Sequence, residues 1–164
     1  MKKLYLIGGT MGVGKTTVCG ELKKMLSACV FLDGDWCWDL NPFRVTEATK
    51  AMVMDNICAM LANFIRCADI ENIVFCWVMH EQCIIVEILS RLDWSGCEVG
   101  TFSLVCSEEE LRAGLQKDVD AGIRQPDILD RSAARIPLYA GLNTVKIETS
   151  GKSPQRIAME ILEA

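Results

Sequence analysis

Glycine, lysine and threonine residues near the N-terminus are spaced in a way that suits phosphate binding. The stretch LIGGTMGVGKTT, residues 6–17, fits G-x-x-x-x-G-K-[ST] with Gly9, Gly14, Lys15 and Thr16 at the fixed positions. Glycines let several backbone N–H groups turn toward one anion, and the lysine ammonium adds charge for the β- and γ-phosphates. The threonine hydroxyl is a suitable ligand for Mg²⁺. The pattern therefore favours a nucleotide-phosphate site over a glycine-rich turn that matches by chance.

The flanking residues strengthen this interpretation. The apolar run 4–9 predicts a strand, and the segment from Lys15 to Ser27 predicts a helix whose N-terminus offers free N–H groups and a positive dipole end. We expect the residues of the phosphate loop, 9–17, to bind ATP, with Lys15 also catalytic and Thr16 also on the metal. The loop residues are Gly9, Thr10, Met11, Gly12, Val13, Gly14, Lys15, Thr16 and Thr17.

Two acids end the second apolar run, CVFLDGD, at residues 29–35. Alternate residues of an extended chain point to the same side, so Asp33 and Asp35 are expected to face one crevice beyond the strand. Carboxylates there can order the water ligands of Mg²⁺ or accept the proton of an acceptor hydroxyl. The alternative is a D-G-D turn in which Asp33 caps backbone N–H groups.

Three arginines follow within residues 124–135. Arg131 and Arg135 are four residues apart on one predicted helical face, and Arg124 lies just before the break at Pro126. Arginines on a segment that closes over a nucleotide neutralise the charge of the transferring phosphoryl group. The alternative is a solvated face in which Asp127 pairs with Arg131.

Strand and helix patterns alternate five times along the chain, which indicates a parallel sheet with helices on both faces. The predicted strands are 4–9, 29–35, 72–79, 98–106 and 143–149. At least one predicted helix follows each strand. The first three are 15–27, a long helix that begins near Thr46, and a helix whose apolar stripe covers 85–92. Two more follow the fourth strand, one that begins with a Ser107–Glu110 capping box and one over 127–139 that Pro137 ends or kinks, and the last helix is capped by Ser153 and Pro154.

The phosphate loop, the acidic D-x-D after the second strand and the later arginines together resemble the small P-loop kinases, which include shikimate, gluconate, adenylate and small bacterial nucleotide kinases. The resemblance implies a three-layer α/β/α P-loop NTPase fold with strand order 2-3-1-4-5, in one domain over residues 1–164. It implies phosphoryl transfer from ATP, with Mg²⁺, to a small-molecule acceptor: a nucleotide, a nucleoside or a small hydroxylated metabolite.

The resemblance also implies roles for the acids and arginines. Asp33 becomes the catalytic magnesium partner and Asp35 the acceptor partner. Residues 122–135 become a lid in which Arg124 and Arg131 are catalytic, while Arg135 binds the nucleotide or meets the acceptor.

The acceptor-binding region is expected at residues 35–67. Trp36 and its aromatic neighbours could form a wall for a ring, or pack ordinarily, and Arg44 could bind a phosphate or carboxylate. His80 follows the third strand and could hydrogen-bond the acceptor, or serve as a helix cap or surface residue. The third strand ends without a carboxylate, a departure from many P-loop proteins that leaves metal ordering to Asp33.

Composition excludes several other classes of protein. Net charge is −5 over 164 residues, which argues against a nucleic-acid surface, and no apolar run is long enough for a membrane helix. The nine cysteines lack C-x-x-C spacing and accompany a single histidine, so we expect reduced core thiols, no zinc site and a cytoplasmic location. Oligomeric state is not predicted.

Two rival functions remain at the level of sequence. A GTP-binding switch is disfavoured because DWSG, residues 93–96, follows a helical stripe and no N-K-x-D motif is present. An ATP-binding regulator, or an ATPase without a small-molecule acceptor, is the main alternative to a kinase.

Overall fold

Five parallel strands form a single sheet in the order β2-β3-β1-β4-β5. The computed structural model describes all residues, 1–164. The strands are β1 Lys2–Gly9, β2 Cys29–Asp33, β3 Asn72–Cys76, β4 Cys97–Val105 and β5 Val145–Glu148. The predicted P-loop NTPase fold and strand order are confirmed.

Six α-helices and two 3₁₀ helices connect the strands. The α-helices are α1 Lys15–Met25, α2 Glu47–Arg66, α3 Gln82–Ser90, α4 Glu108–Asp120, α5 Ile128–Ala133 and α6 Pro154–Glu163. The 3₁₀ helices are Gly34–Trp38 and Ile136–Gly141. No helix combines the length and the apolar character needed to span a bilayer.

Local hydrogen bonds explain where the helices begin. Thr46 and Thr49 cap α2 reciprocally, a capping box that the sequence interpretation missed. Ser107 accepts from the Glu110 N–H at the start of α4, which is one half of the predicted box. Ser153 accepts from the Arg156 N–H and precedes Pro154 in α6, as predicted.

Two apolar layers cover the sheet, as the alternation of strands and helices predicts. On one face Ile57 and Leu61 of α2 pack with Phe75 and with Ile88 of α3. On the other face α1 and α6 pack together over the sheet, with α1 contributing Leu22. All nine cysteines are free: five are buried, whereas Cys67 and Cys83 are exposed and are not the core thiols expected.

Three predicted elements end differently in the structure. β2 stops at Asp33, and the chain turns into a 3₁₀ helix at Gly34, where only glycine fits against the Trp77 ring: a Cβ there would be 2.6 Å from Trp77 Cγ. β3 stops at Cys76, four residues before His80. The predicted helix 127–139 is divided into α5 and the 3₁₀ helix that holds Pro137 near its start.

The strand register brings the predicted functional residues to one edge of the sheet. Cys76 pairs with both Ile7 and Asp33, and Gly9 pairs with Leu104 of β4. The phosphate loop, the D-x-D turn and the segment after β3 therefore leave the sheet side by side, at the carboxyl ends of the strands where ligands bind in such sheets.

Candidate active site

Two glycines give the phosphate loop its shape. Gly12 and Gly14 have φ values of +83° and +101°, in the left-handed region that favours glycine. A Cβ at Gly12 would lie 2.4 Å from the Leu115 side chain of α4, so this position also needs a close approach. Gly14 is the N-cap of α1, so the loop passes directly into that helix.

Lys15 spans the loop from its first helical position. Its Nζ donates to the carbonyl oxygens of Gly9, at 2.8 Å, and Thr10, at 3.1 Å. Burial lowers the pKa of this ammonium, whereas the nearby Cys76 thiol and the Asp35 and Asp33 carboxyls raise it. The cation therefore faces both the loop and the acids, as a phosphate-binding lysine should.

Asp33 joins the end of β2 to the start of α1. Its Oδ2 accepts from the Thr16 hydroxyl at 2.7 Å, and its Oδ1 accepts from the Asp35 N–H at 3.0 Å. The turn cap considered as an alternative is thus present together with the contact to Thr16. A hydroxyl and a carboxylate on neighbouring elements fit Mg²⁺, which binds through a few protein oxygens and retains several waters.

Asp35 lies in the 3₁₀ helix, so the extended geometry expected for the acid pair is wrong. Burial raises the pKa of the Asp35 carboxyl, and the Asp33 charge raises it further. Lys15, the Trp77 side chain and Arg124 lower it. This carboxyl therefore lies within electrostatic reach of the loop lysine, the other acid and one of the predicted lid arginines.

The three arginines lie near the phosphate loop and its neighbouring side chains. Arg124 Nε donates to Asp118 Oδ2 at 3.1 Å, and Arg131 Nη1 donates to Asp127 Oδ2 at 2.8 Å. Arg131 Nη2 lies 4.0 Å, and Arg135 Nη1 3.9 Å, from the Met11 sulfur in the loop. The i, i+4 ion pair considered for Arg131 is present, on a helix that also contacts the phosphate loop.

The segment after β3 is tied to the loop and carries His80. The Val78 carbonyl accepts from the Gly9 N–H at 3.3 Å and from the Tyr139 hydroxyl at 2.6 Å. His80 Nε2 lies 3.3 Å from Glu81 Oε1, while the buried Nδ1 has no hydrogen-bond partner. Burial and the Arg135 charge lower the pKa of His80, so the neutral ring is favoured.

The aromatic residues expected to form one wall are divided in the structure. Trp36 packs edge-on against Phe31, at 5.3 Å between ring centroids, on the α1 face of the sheet. Trp38 contacts Phe43 at 5.1 Å and Trp77 at 6.2 Å, on the α2 face. Arg44 follows in an exposed loop without an ion-pair partner. Trp77, which the sequence interpretation omitted, is the aromatic side chain beside Asp35.

A second group missed from the sequence lines a pocket of about 250 Å³ next to the phosphate loop. It is bounded by the loop and α1, by the start of α4 and by the turn between β5 and α6. The lining residues outside the loop and α1 are Cys106, Glu110, Leu111, Thr149, Lys152, Pro154 and Ile157. The only sequence signals were the caps at Ser107 and Ser153, which place two helix starts at this edge.

Solved structures with the same fold cover nearly the whole chain. A tunicamycin resistance protein from Deinococcus radiodurans superposes with a TM-score of 0.75 at 19% identity, over 99% of this chain and 95% of that one. A gluconokinase from Sinorhizobium meliloti 1021 gives 0.71 at 16% identity, over 98% and 90%. The APS kinase from Mycobacterium tuberculosis, solved with AMPPNP and APS, gives 0.64 at 17% identity, over 99% and 98%. At these identities the likeness concerns the fold.

The sequence comparisons give the family. No curated protein matches this chain. The family described as AAA domain, AAA_18, matches residues 6–133, which include the phosphate loop, both acids and the arginines Arg124 and Arg131. The chain therefore belongs to the AAA_18 family of AAA domains and has the fold of the small P-loop kinases.

Proposed function

We propose that this protein is an ATP-dependent phosphotransferase that moves the γ-phosphoryl group to a small-molecule acceptor. The observation that carries the proposal is the convergence of Lys15, the Thr16–Asp33 pair and Asp35 at the end of the phosphate loop. A phosphate site alone would suit any ATPase. A second carboxyl near the loop lysine, on the solvent-accessible residue Asp35, gives an acceptor hydroxyl a place to lose its proton.

The nucleotide is proposed to lie along the phosphate loop, with its base toward the pocket between α4 and α6. Lys15 would exchange its contacts to the loop carbonyls for contacts to the β- and γ-phosphates, whose charge would offset the burial of the ammonium. Mg²⁺ would be held by Thr16 and Asp33, and would supply charge neutralisation at the transferring phosphoryl group. The solved APS kinase was crystallised with AMPPNP, which supports ATP as the donor for this fold.

Asp35 is proposed to be the residue that receives the acceptor proton. The acceptor oxygen forms a bond to the γ-phosphorus while the bond from that phosphorus to the bridging oxygen of ADP breaks. The acceptor would bind between Asp35, Trp77 and the segment bearing His80, whose unpartnered Nδ1 is free to make a hydrogen bond. Trp36, on the α1 face of the sheet, and the exposed Arg44 are proposed to contact the acceptor in the outer part of the acceptor-binding region, 35–67.

Residues 122–135 are proposed to close over the nucleotide as a lid. The Arg124–Asp118 and Arg131–Asp127 pairs are exposed, and such pairs contribute about 0–1 kcal/mol. A phosphate can therefore displace the carboxylate partners at little cost. Closure would expel water and strengthen each guanidinium–phosphate interaction.

Arg124→Ala and Arg131→Ala are each expected to lower kcat about 10- to 100-fold while changing the nucleotide KM much less, because the contacts strengthen in the transition state. Steady-state kinetics with a working acceptor measures this. Arg91→Ala, which removes an exposed, ion-paired arginine at the C-cap of α3, is the matched control. Near-normal kcat in both lid variants would leave these arginines as a solvated helix face.

An acceptor screen tests the proposed function. Purified protein with ATP and Mg²⁺ is expected to release ADP slowly alone and at least about 10-fold faster with one class among nucleosides, nucleotides, sugar acids and other hydroxylated metabolites. The Lys15→Ala variant serves as the blank. ADP release that no compound accelerates would favour the alternative, an ATPase or ATP-binding regulator without a small-molecule acceptor.

A further inference from the structure

Helix α5 is fastened to the phosphate loop through one buried serine. Ser132 has no exposed surface, and Thr10 is 2% exposed. The Thr10 hydroxyl lies 2.8 Å from Ser132 Oγ and also 2.8 Å from the Ser132 carbonyl oxygen. Ser132 Oγ in turn donates to the Met11 carbonyl at 2.5 Å.

These contacts can be satisfied together in only one direction. Ser132 Oγ must use its single proton on the Met11 carbonyl, because that oxygen can only accept. Thr10 is then the donor, and its proton is shared between the Ser132 hydroxyl and carbonyl oxygens. A directed chain thus runs from Thr10 through Ser132 back to Met11, and it closes on two consecutive residues of the phosphate loop.

Ser132 joins the loop to α5, which carries Arg131 and is followed two residues after its end by Arg135. Arg131 and Arg135 flank it in sequence, and both guanidinium groups lie about 4 Å from the Met11 sulfur. Any shift of residues 10–11 on phosphate binding must therefore move the Ser132 contacts, and with them the helix.

We propose that Ser132 is a positioning residue that couples the phosphate loop to α5, so that phosphate binding sets the position of Arg131 and Arg135. This inference rests on the proposed function and specifies how its site is regulated. It also divides the lid. The segment of the lid before α5, residues 122–127, is then the part that moves independently of the loop, whereas α5 moves with the loop.

The test compares Ser132→Ala and Thr10→Val with a matched buried pair elsewhere. Ser103 is also fully buried, and its hydroxyl lies 2.7 Å from the Thr144 hydroxyl, away from the loop side chains. Ser103→Ala therefore removes a similar hydrogen bond without touching the loop. Amide exchange of α5 and of residues 10–14 is measured with and without AMPPNP and Mg²⁺, together with kcat, nucleotide KM and Tm.

We expect Ser132→Ala to speed amide exchange in both α5 and residues 10–14 in the free chain, by about 10-fold or more. AMPPNP should then protect the loop but no longer α5. With a working acceptor, kcat should fall about 10-fold or more while the nucleotide KM changes less than about threefold. Thr10→Val should have the same effects as Ser132→Ala, and the effects of the two substitutions should not add in the double variant. Thr10→Ser, which keeps the hydroxyl, should give amide exchange close to that of the wild type.

The proposal is overturned if Ser132→Ala behaves as Ser103→Ala does, with a lowered Tm but unchanged exchange in α5 and unchanged kcat. Additive effects in the Thr10→Val and Ser132→Ala double variant would also contradict it. Failure of the proposed function is distinguishable. If the wild type phosphorylates no acceptor, the exchange measurements on the free and AMPPNP-bound chain still decide whether Ser132 couples loop and helix.

Discussion

Replacing Lys15 with alanine is expected to lower phosphoryl transfer by roughly 100- to 1,000-fold while leaving the fold intact. The Lys15 ammonium contacts only the carbonyl oxygens of Gly9 and Thr10, and it adds no apolar contact to either core layer. Its loss therefore removes positive charge at the β- and γ-phosphates and leaves the packing of α1 unchanged. Acceptor-dependent ADP release, with circular dichroism and Tm as fold controls, measures the effect.

Lys23→Ala is the matched control for this substitution. Lys23 lies on the same helix, but its side chain is exposed and forms no ion pair. We expect normal turnover in the control. If Lys15→Ala retained wild-type turnover, the loop would have no role in phosphoryl transfer, and the nucleotide-site interpretation would be wrong.

Substitutions of the two acids are expected to change different kinetic parameters. Asp33→Asn should lower kcat about 100-fold or more and raise the Mg²⁺ concentration needed for half-maximal rate, because it replaces the carboxylate beside Thr16 with a neutral amide. Asp35→Asn should lower kcat/KM for the acceptor about 100-fold, the usual contribution of a positioned base, with little change in nucleotide affinity. Initial rates over varied Mg²⁺, ATP and acceptor separate the two.

The pH dependence follows from the environment of Asp35. Burial and the Asp33 charge raise the pKa of its carboxyl above the ordinary 3.8, so the group stays protonated to higher pH. Only the ionised form can accept a proton, and kcat/KM for the acceptor should therefore rise with pH along a limb above 3.8.

Full activity in both Asn variants would reduce the D-x-D to a structural turn. The role of Asp33 would then be to accept the hydrogen bond from the Asp35 N–H that stabilises this turn. Loss of nucleotide affinity in Asp35→Asn would instead move that residue from the acceptor side to the nucleotide side.

The features that the sequence predicted are those that depend on neighbours along the chain. Alternating apolar runs and helical stripes predicted a parallel sheet with helices on both faces, and the glycine spacing predicted the phosphate loop. The carboxyl ends of β2 and β1, on either side of β3, lie at the same edge of the sheet, and this places Asp33 at the start of α1, where Thr16 contacts it. Each of these follows from local pattern and from the rule that strand ends meet at one edge.

The features that were missed depend on contacts between distant segments. β2 ends at Asp33 and Gly34 lies against the Trp77 ring, while Trp36 packs on Phe31, apart from the aromatic side chains on the α2 face. Nothing in the sequence around Ser132 indicates that its hydroxyl contacts Thr10 of the phosphate loop. No motif marks such positions, since only the folded chain brings them together.

The destination of the γ-phosphoryl group is the most direct test of the proposed function. The protein is incubated with ATP labelled with ¹⁸O in its γ-phosphate and a mixture of hydroxylated metabolites and nucleotides, and the products are separated by mass. The proposal predicts that the label appears as a phosphorylated organic product, and that Lys15→Ala forms none. Label recovered only as inorganic phosphate, at the same rate with and without the mixture, would contradict it and identify the protein as an ATPase.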